Sequence, residues 1–293
     1  MIDELMIRVT YRCNQNCEFC FNNIFDDKVD YKTKEKLDIG VIQKFVKDNG
    51  VKIIYISGGE PTVYENIKDF TYEMSKLGKV FYFTNGLLLD KFKDEEISDM
   101  GISAINISVY TNEIQKETNT FVRKCDRLSK LKEKYPNIKI NAQVMIDESF
   151  FDVINSKGFK KMEKIFDRIN WQPLAIPKGH RLYKTTLEGM DRNKAKRICE
   201  YLEKTGTEKK ANTLLKILDK EIDEPCLMGI KYITLNPDMT INICPHKNDT
   251  KLTIDEFNKI KGKINNSNEN CLSMRCVSLQ SFLNKKYLQE KNN

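Results

Sequence analysis

Histidine is scarce in this sequence, and it has no long apolar runs. The 293 residues include only two histidines, His180 and His246, so a histidine-rich zinc site or histidine-based acid–base catalysis is poorly supplied. No apolar stretch approaches the roughly 20 residues that span a bilayer, which argues against a membrane protein. The first residues, MIDELMIRVTY, contain no basic segment followed by an apolar one, so we expect no secretory signal and a cytoplasmic location.

The positive net charge is not concentrated in clusters of basic residues. The formal net charge is +7, with 49 Lys and Arg against 42 Asp and Glu. Lysines are interleaved with acidic residues, as in KEKLD at 34–38, so nucleic acid is not the partner we expect. With 40% hydrophobic residues the chain can bury a large core, which fits one large domain and a small appendage.

Short β-type runs alternate with helical patterns over most of the chain. The predicted strands are Leu5–Tyr11, Lys52–Ser57, Lys79–Thr84, Ala104–Tyr110, Ile138–Ile146 and Asn170–Ile176. The predicted helices between them are Thr33–Asn49, Glu65–Leu77, Asp94–Met100, Glu113–Tyr135 and Phe151–Arg168. Six βα units in series predict an α/β fold whose parallel sheet is closed or nearly closed into a barrel.

The alternation stops near residue 190. Residues 191–225 predict linking helices, with an interruption at Gly206. Residues 226–293 predict a small Cys-rich β-hairpin/helix domain: a hairpin over Lys231–Cys244, a helix around Thr253–Lys261 and a C-terminal helix. We therefore divide the chain into a barrel at 1–190, linking helices at 191–225 and a C-terminal domain at 226–293.

Three of the nine cysteines follow the first predicted strand directly. Cys13, Cys17 and Cys20 offer soft thiolates at short spacing, which suit zinc or an iron–sulfur cluster. Structural zinc usually takes four N or S ligands, and no fourth Cys or His lies nearby in the sequence. Three thiolates on a cubane cluster would leave one iron without a protein ligand, so that it can bind a substrate.

The C-x3-C-x2-C run, with Phe19 before its last cysteine, resembles the signature of the radical S-adenosylmethionine (SAM) superfamily. Gly58-Gly59-Glu60-Pro61 looks like the family's GGE motif, and Thr84-Asn85-Gly86 is similar to its TNG stretch. The resemblance runs from about Met6 to Pro177 and implies a partial (β/α)6 TIM-like barrel. It also implies a [4Fe–4S] cluster on Cys13, Cys17 and Cys20, which binds SAM. An electron from a flavodoxin- or ferredoxin-type donor cleaves SAM, and the resulting 5′-deoxyadenosyl radical abstracts hydrogen from a substrate C–H bond.

The same resemblance implies a set of SAM-binding residues at successive strand ends. They are Phe19, Gly58, Gly59, Glu60, Pro61, Thr84, Asn85, Ser108, Arg123, Asn141, Gln143 and Leu174. For the glycines, the alternative is an ordinary βα turn with proline at helix entry. For Arg123, the alternative is an exposed helix arginine.

A second set of cysteines lies beyond the barrel: Cys226, Cys244, Cys271 and Cys276. Its spacing resembles a twitch domain, the shortened relative of the SPASM domain, and implies one auxiliary [4Fe–4S] cluster. The alternatives are a structural zinc site or unligated core thiols. Cys125 and Cys199 lie in helical patterns, where we expect packing residues; the alternative is hydrogen-atom donation to a substrate radical.

Three functional hypotheses follow. The first is an oxidoreductase-type radical SAM enzyme that makes an oxidative modification, a dehydrogenation or a crosslink, in a small metabolite or short peptide with help from the auxiliary cluster. The second is a redox-neutral epimerase or rearrangement enzyme. The third is a zinc-stapled nucleic-acid-binding protein. Candidate substrate contacts are the loop residues Asp147, Glu148, Lys178, His180 and Arg181, for each of which a solvated loop position is the alternative.

Overall fold

A nine-stranded mixed sheet organises the protein, which is seen here as a computed structural model describing residues 2–20, 22, 35–174, 176, 178–207, 227–244 and 247–264. The strands are β1 (Glu4–Arg8), β2 (Ile53–Ser57), β3 (Lys79–Thr84), β4 (Ile102–Val109), β5 (Lys139–Ile146), β6 (Arg168–Pro173), β7 (Tyr232–Leu235), β8 (Ile241–Cys244) and β9 (Lys247–Leu252). Their order is β6-β5-β4-β3-β2-β1-β7-β8-β9.

The first six strands are all parallel, and each pairs with its sequence neighbour. This is the connectivity of a (β/α) barrel. Within the described residues, β6 and β9 form the two free edges, so the barrel is open. The α/β fold is therefore the predicted partial TIM-like barrel, and the carboxyl ends of its strands meet at one edge, where such folds place their active sites.

Helices cover the outer face of this sheet. They are α1 (Ile39–Asn49), α2 (Ile67–Ser75), α3 (Asp94–Asp99), α4 (Thr111–Lys116), α5 (Asn119–Lys134), α6 (Phe150–Ile154), α7 (Lys157–Ile165), α8 (Arg192–Leu202) and α9 (Ile254–Ile260). In α1, the Asp38 side chain accepts a hydrogen bond from the first turn, and Gly50 ends the helix in a left-handed conformation. Its buried side includes Ile42 and Phe45, which contribute to the core between helices and sheet.

Two predicted helices are in fact pairs of shorter ones. The predicted helix Glu113–Tyr135 is interrupted at Glu117, whose φ of 44° is left-handed, and restarts where Thr118 caps α5. The predicted helix Phe151–Arg168 is interrupted before Ser156, whose side chain caps α7. Both breaks lie at an N-cap hydroxyl, a signal that helical periodicity alone does not register.

Side-chain alternation gives the sheet two different faces. Leu5, Ile54 and Ile56 are fully buried beneath the helices. The opposite, concave face carries polar side chains such as Asn106 on β4 and Asn141 on β5. These two residues are paired with each other in the sheet register. The concave face thus combines these amides with aromatic side chains such as Tyr55 and Phe83, whereas the outer face forms the main hydrophobic core.

The predicted C-terminal hairpin is present as β7 and β8, followed by β9 and α9. Its turn is closed by a hydrogen bond from the Asn236 N–H to the Thr240 carbonyl at 2.8 Å. Met239 takes a left-handed φ of 66° in this turn, where glycine would be more favourable. Strand β7 pairs in parallel with β1, so the hairpin continues the barrel sheet.

No helix in the described ranges has both the length and the apolar character that a bilayer crossing demands.

Candidate active site

The cysteine loop leaves the carboxyl end of β1 and carries three cysteines that form no disulfide. Cys13 is exposed, whereas Cys17 and Cys20 are half-buried. The Cys20 N–H donates to the Cys17 carbonyl at 3.0 Å, which forms a turn between these two cysteines. The Gln15 N–H donates to the Cys13 sulfur at 3.4 Å. The three predicted ligands thus lie on one short loop at the carboxyl end of β1.

The thiols influence one another electrostatically. Partial burial of the sulfur is the main cause that raises the pKa of Cys13, and the N–H of Gln15 acts in the opposite direction. Glu60, Cys20 and Cys17 raise that pKa further, because each would place another negative charge nearby. Three thiolates in this position therefore need a cationic group to offset their repulsion.

Among the described residues, no three His, Cys, Asp or Glu side chains are grouped so as to hold a metal ion. The donor set itself, three soft thiols on one loop, suits an iron–sulfur cluster or zinc. Ligation of a [4Fe–4S] cluster by Cys13, Cys17 and Cys20 stays a prediction.

Two glycines after β2 pack against the backbone of the cysteine loop. The Gly59 N–H donates to the Thr10 carbonyl at 2.7 Å, and the Glu60 N–H donates to the Arg12 carbonyl at 2.9 Å. A Cβ on Gly59 would lie 2.3 Å from the Arg12 oxygen, and one on Gly58 would lie 2.4 Å from the Thr10 oxygen. These close approaches give a structural reason for glycine at both positions, and contact of this segment with SAM stays a prediction.

The Glu60 carboxylate connects the ends of two strands. It is almost fully buried and accepts hydrogen bonds from the Thr62 N–H at 3.1 Å and the Thr62 hydroxyl at 2.6 Å. It also accepts from the Thr84 hydroxyl at 2.6 Å and the Asn85 N–H at 2.7 Å. The Asn85 side chain in turn donates to the Asn14 side chain at 2.8 Å. The loops after β1, β2 and β3 are therefore held together as one unit, which we call the clasp.

The end of β4 contributes residues that the sequence analysis missed. The Tyr110 hydroxyl lies 3.3 Å from the Cys17 sulfur. Behind Tyr110, the buried Lys124 donates to the Glu113 carboxylate at 3.1 Å and to the Ser108 carbonyl at 3.2 Å. The sequence could have indicated Tyr110 by its position. It comes two residues after Ser108, so its side chain is expected on the same face of the sheet.

The remaining predicted SAM residues are distributed between the concave face and the surface. Asn141 and Gln143 are buried, and both donate to the Asn106 side-chain oxygen, at 3.2 and 3.0 Å. Arg123 is exposed and donates to the Leu87 carbonyl at 3.4 Å. Pro61 is buried, and Phe19 and Leu174 are half-buried. Contact of any of these with SAM stays a prediction.

Several other candidates have partners of their own. The Asp147 carboxylate accepts from Thr111 and Ser149, each at 2.5 Å, and His180 caps the short 3-10 helix Arg181–Thr185. Arg181 pairs with Glu18 of the cysteine loop. Substrate contact by these residues stays a prediction.

Cys125 and Cys199 are both fully buried in the hydrophobic core, as expected for packing residues. Burial is the main cause that raises the pKa of Cys125 to about 11.

The second cysteine set falls mostly outside the described residues. Cys226, Cys271 and Cys276 lie there, and Cys244 is placed only as the last residue of β8. Their ligation of an auxiliary cluster stays a prediction.

Residues 7–156 match the family model described as the radical SAM superfamily, which is just over half of the chain. The chain belongs to the radical SAM superfamily. Membership implies a [4Fe–4S] cluster and SAM as cofactors. It says nothing of a twitch or SPASM domain, since the match ends before that region.

This radical SAM protein is similar to enzymes named GTP 3',8-cyclase. It is 32% identical to that of Clostridium perfringens in an alignment of 170 residues, which covers 53% of this chain and 51% of the relative. It is 30% identical to that of Aliarcobacter butzleri in an alignment of 174 residues, which covers 55% of this chain and 52% of the relative. The chain thus spans about half the length of these curated relatives.

Among solved structures, Streptococcus suis SuiB bound to precursor peptide SuiA is similar with a TM-score of 0.63. The two are 18% identical, and the match covers 89% of this chain and 64% of SuiB. At that identity the likeness supports the fold alone.

The curated relatives correct one prediction. The first hypothesis, an oxidative modification by an oxidoreductase-type enzyme, is wrong by this comparison, because a GTP 3',8-cyclase is named for joining two positions of its substrate. The relatives favour the second hypothesis, a redox-neutral rearrangement.

Proposed function

We propose that this radical SAM enzyme holds its cluster on Cys13, Cys17 and Cys20 and catalyses a redox-neutral rearrangement of a small substrate. When bound, the cluster supplies the electron that cleaves SAM into methionine and a 5′-deoxyadenosyl radical. The observation that carries the cluster site is three cysteines on one loop, which the clasp holds at the carboxyl ends of the strands.

The chain's own residues have to place SAM and the substrate and to keep water out. The clasp fixes Asn85 and the backbone of Gly59 beside the cysteine loop, so polar groups that suit the amino-acid end of SAM are already in position. On the concave face, the side chains of Asn106, Asn141 and Gln143 offer uncharged donors and acceptors. Such uncharged groups can orient a polar ligand by hydrogen bonding.

The relatives support the type of reaction. When a C–H carbon is joined to an unsaturated carbon of the same molecule, the substrate loses one hydrogen atom to the 5′-deoxyadenosyl radical. If one electron from the donor and one proton replace that hydrogen after the bond forms, the substrate is neither oxidised nor reduced overall and the product has its mass. GTP is the substrate to test first, because the similar enzymes are named for it. A flavodoxin- or ferredoxin-type protein is the electron donor we propose.

Anaerobically reconstituted full-length protein, with SAM, dithionite and GTP, tests these points. We expect 5′-deoxyadenosine from the wild type and none from a variant with alanine at the three cysteines of the loop. Conversion of GTP to a product of equal mass supports the rearrangement. A product lighter by two hydrogens would overturn it, and unconsumed GTP would eliminate GTP as the substrate while deoxyadenosine still reports on SAM cleavage.

We also propose one auxiliary [4Fe–4S] cluster on Cys226, Cys244, Cys271 and Cys276, with structural zinc as the alternative. Two clusters would give about eight irons per chain, and alanine at these four positions would leave about four. Zinc in the wild type together with only about four irons would favour the alternative.

A further inference from the structure

We infer that the Tyr110 hydroxyl donates a hydrogen bond to the Cys17 thiolate and thereby raises the reduction potential of the cluster. The inference rests on the proposed function, because it assumes a cluster on the cysteine loop. Tyr110 is then a positioning residue: it acts on the cluster through the sulfur of Cys17.

Distances identify the acceptor. The Tyr110 oxygen is 3.3 Å from the Cys17 sulfur and 3.4 Å from the Gln15 side-chain oxygen. A bond of 3.4 Å between two oxygens is long, since O–H···O bonds are usually about 2.7–2.8 Å. Sulfur has a larger radius, so 3.3 Å is an ordinary length for O–H···S. The single hydroxyl hydrogen is therefore better placed for Cys17.

Chemistry fixes the direction of the bond. In the protein without a cluster, either Tyr110 or Cys17 is able to donate. Cysteine binds metal as the thiolate, which has no hydrogen to give. Tyrosine must then be the donor, and the negative charge on the acceptor strengthens the bond.

Neighbouring residues hold the tyrosine ring in place. The ring of Phe19 meets it edge-on, with centroids 5.2 Å apart, and the Lys124 ammonium lies 5.5 Å from its centroid. The Tyr110 N–H donates to the Glu113 carboxylate at 3.3 Å. Lys124 and Glu113 are themselves a buried pair, with side chains 2% and 11% exposed. The hydroxyl is thus preorganised, and ligation of Cys17 requires no movement of the strand end.

The bond should favour the reduced cluster. An added electron makes the thiolate ligands more negative, so a donor at one of them stabilises the reduced state more than the oxidised state. Without this donor, the ratio of reduced to oxidised cluster at a fixed potential should fall about three- to tenfold, which is about 30–60 mV for one electron.

Tyr110→Phe tests this, because it removes the hydroxyl and keeps the ring. Tyr82→Phe is the matched control: the Tyr82 hydroxyl is also buried, lies on the helix-covered face of the sheet and has no hydrogen-bond partner among the described residues. The measurement is a potentiometric titration of the reconstituted full chain, with alanine at Cys226, Cys244, Cys271 and Cys276 in every protein compared. The electron paramagnetic resonance signal then reports the reduced loop cluster alone. We expect a more negative midpoint in Tyr110→Phe and the wild-type midpoint in Tyr82→Phe.

Iron content separates the two proposals. A wild type that binds no cluster would overturn the proposed function, and this inference with it. A Tyr110→Phe variant with wild-type iron and an unchanged midpoint would overturn the inference alone. Gln15→Ala removes the competing acceptor, so it should leave the midpoint unchanged or raise it; a decrease equal to that of Tyr110→Phe would assign the hydrogen to Gln15 and reject the inference.

Discussion

Replacing Gly59 by alanine should separate folding of the barrel from loading of its cluster. The added Cβ would lie 2.3 Å from the Arg12 oxygen and 2.4 Å from the Tyr11 oxygen, both of them backbone atoms. Gly59 does not adopt a positive φ, so alanine is compatible with the local backbone and the effect is purely steric. The cysteine loop has to move away from β2 by about 0.7 Å to reach a tolerable contact of 3.0 Å.

This movement acts on the two hydrogen bonds that the glycine segment makes with the loop. They join the Gly59 N–H to Thr10 and the Glu60 N–H to Arg12, at 2.7 and 2.9 Å. A typical net contribution is about 1 kcal/mol each, so the free energy of unfolding should decrease by about 2 kcal/mol. The larger effect should be on the cluster, since the displaced segment runs directly into Cys13.

Two measurements check this prediction: urea unfolding followed by circular dichroism, and iron per chain after anaerobic reconstitution. We expect a folded variant that loses most of the loop cluster, so that iron falls toward half of the wild-type value with the proposed auxiliary cluster retained, and that binds SAM more weakly. Gly262→Ala is the control, because a Cβ there meets nothing within 4 Å. It should load iron normally and be unchanged or up to about 1 kcal/mol more stable. If Gly59→Ala kept wild-type iron and stability, the glycine segment would not be what holds the loop.

Three further substitutions test the electrostatics and packing. Glu60→Gln should destabilise the protein by about 2–4 kcal/mol in urea and reduce iron loading, because an amide cannot accept all four hydrogen bonds; wild-type values would mean that the clasp is not held by charge. Asp167 is partly buried, which alone raises its pKa, but the Ile140 N–H and the Lys132 ammonium lower that pKa overall. Asp167→Asn should therefore be less stable than wild type at pH 7 by about 1–2 kcal/mol. The difference in melting temperature should begin to shrink as the pH falls below about 4 and vanish only below the lowered pKa of the folded protein; a difference as large at pH 2 as at pH 7 would contradict this. Cys125→Ala should lower stability by about 1 kcal/mol and leave turnover intact, since this thiol packs under the helices rather than on the concave face; lost turnover after deoxyadenosine formation would restore it as a hydrogen-atom donor.

Regular elements could be predicted from the sequence because they depend on local patterns. The order of the six parallel strands and the hairpin after Lys231 follow from period-two runs separated by helical patterns or a turn. The breaks at Thr118 and Ser156 were missed because each depends on one capping hydroxyl inside an otherwise helical pattern.

The site was predictable only where its residues lie close together in the chain. The cysteine spacing and the glycine pair are short motifs, so the sequence shows them directly. Tyr110 and Cys17 are 93 residues apart, and Asn85 and Asn14 are 71 apart, so only the folded sheet brings them into contact. The packing of the glycines on the cysteine loop could not be predicted for the same reason, because the backbone that they approach belongs to a different strand end.

The direction of β8 determines which end of the barrel the hairpin's last residue reaches. Asn242 pairs with Thr234, which is level with Met6, and the chain then continues toward the start of β1. The end of β8 therefore lies toward the amino end of β1, whereas Cys13 lies beyond Arg8 at the other end of that strand. Strand β1 is five residues long, and four residue steps span roughly 13 Å. Strand β8 thus leads the chain away from the cysteine loop.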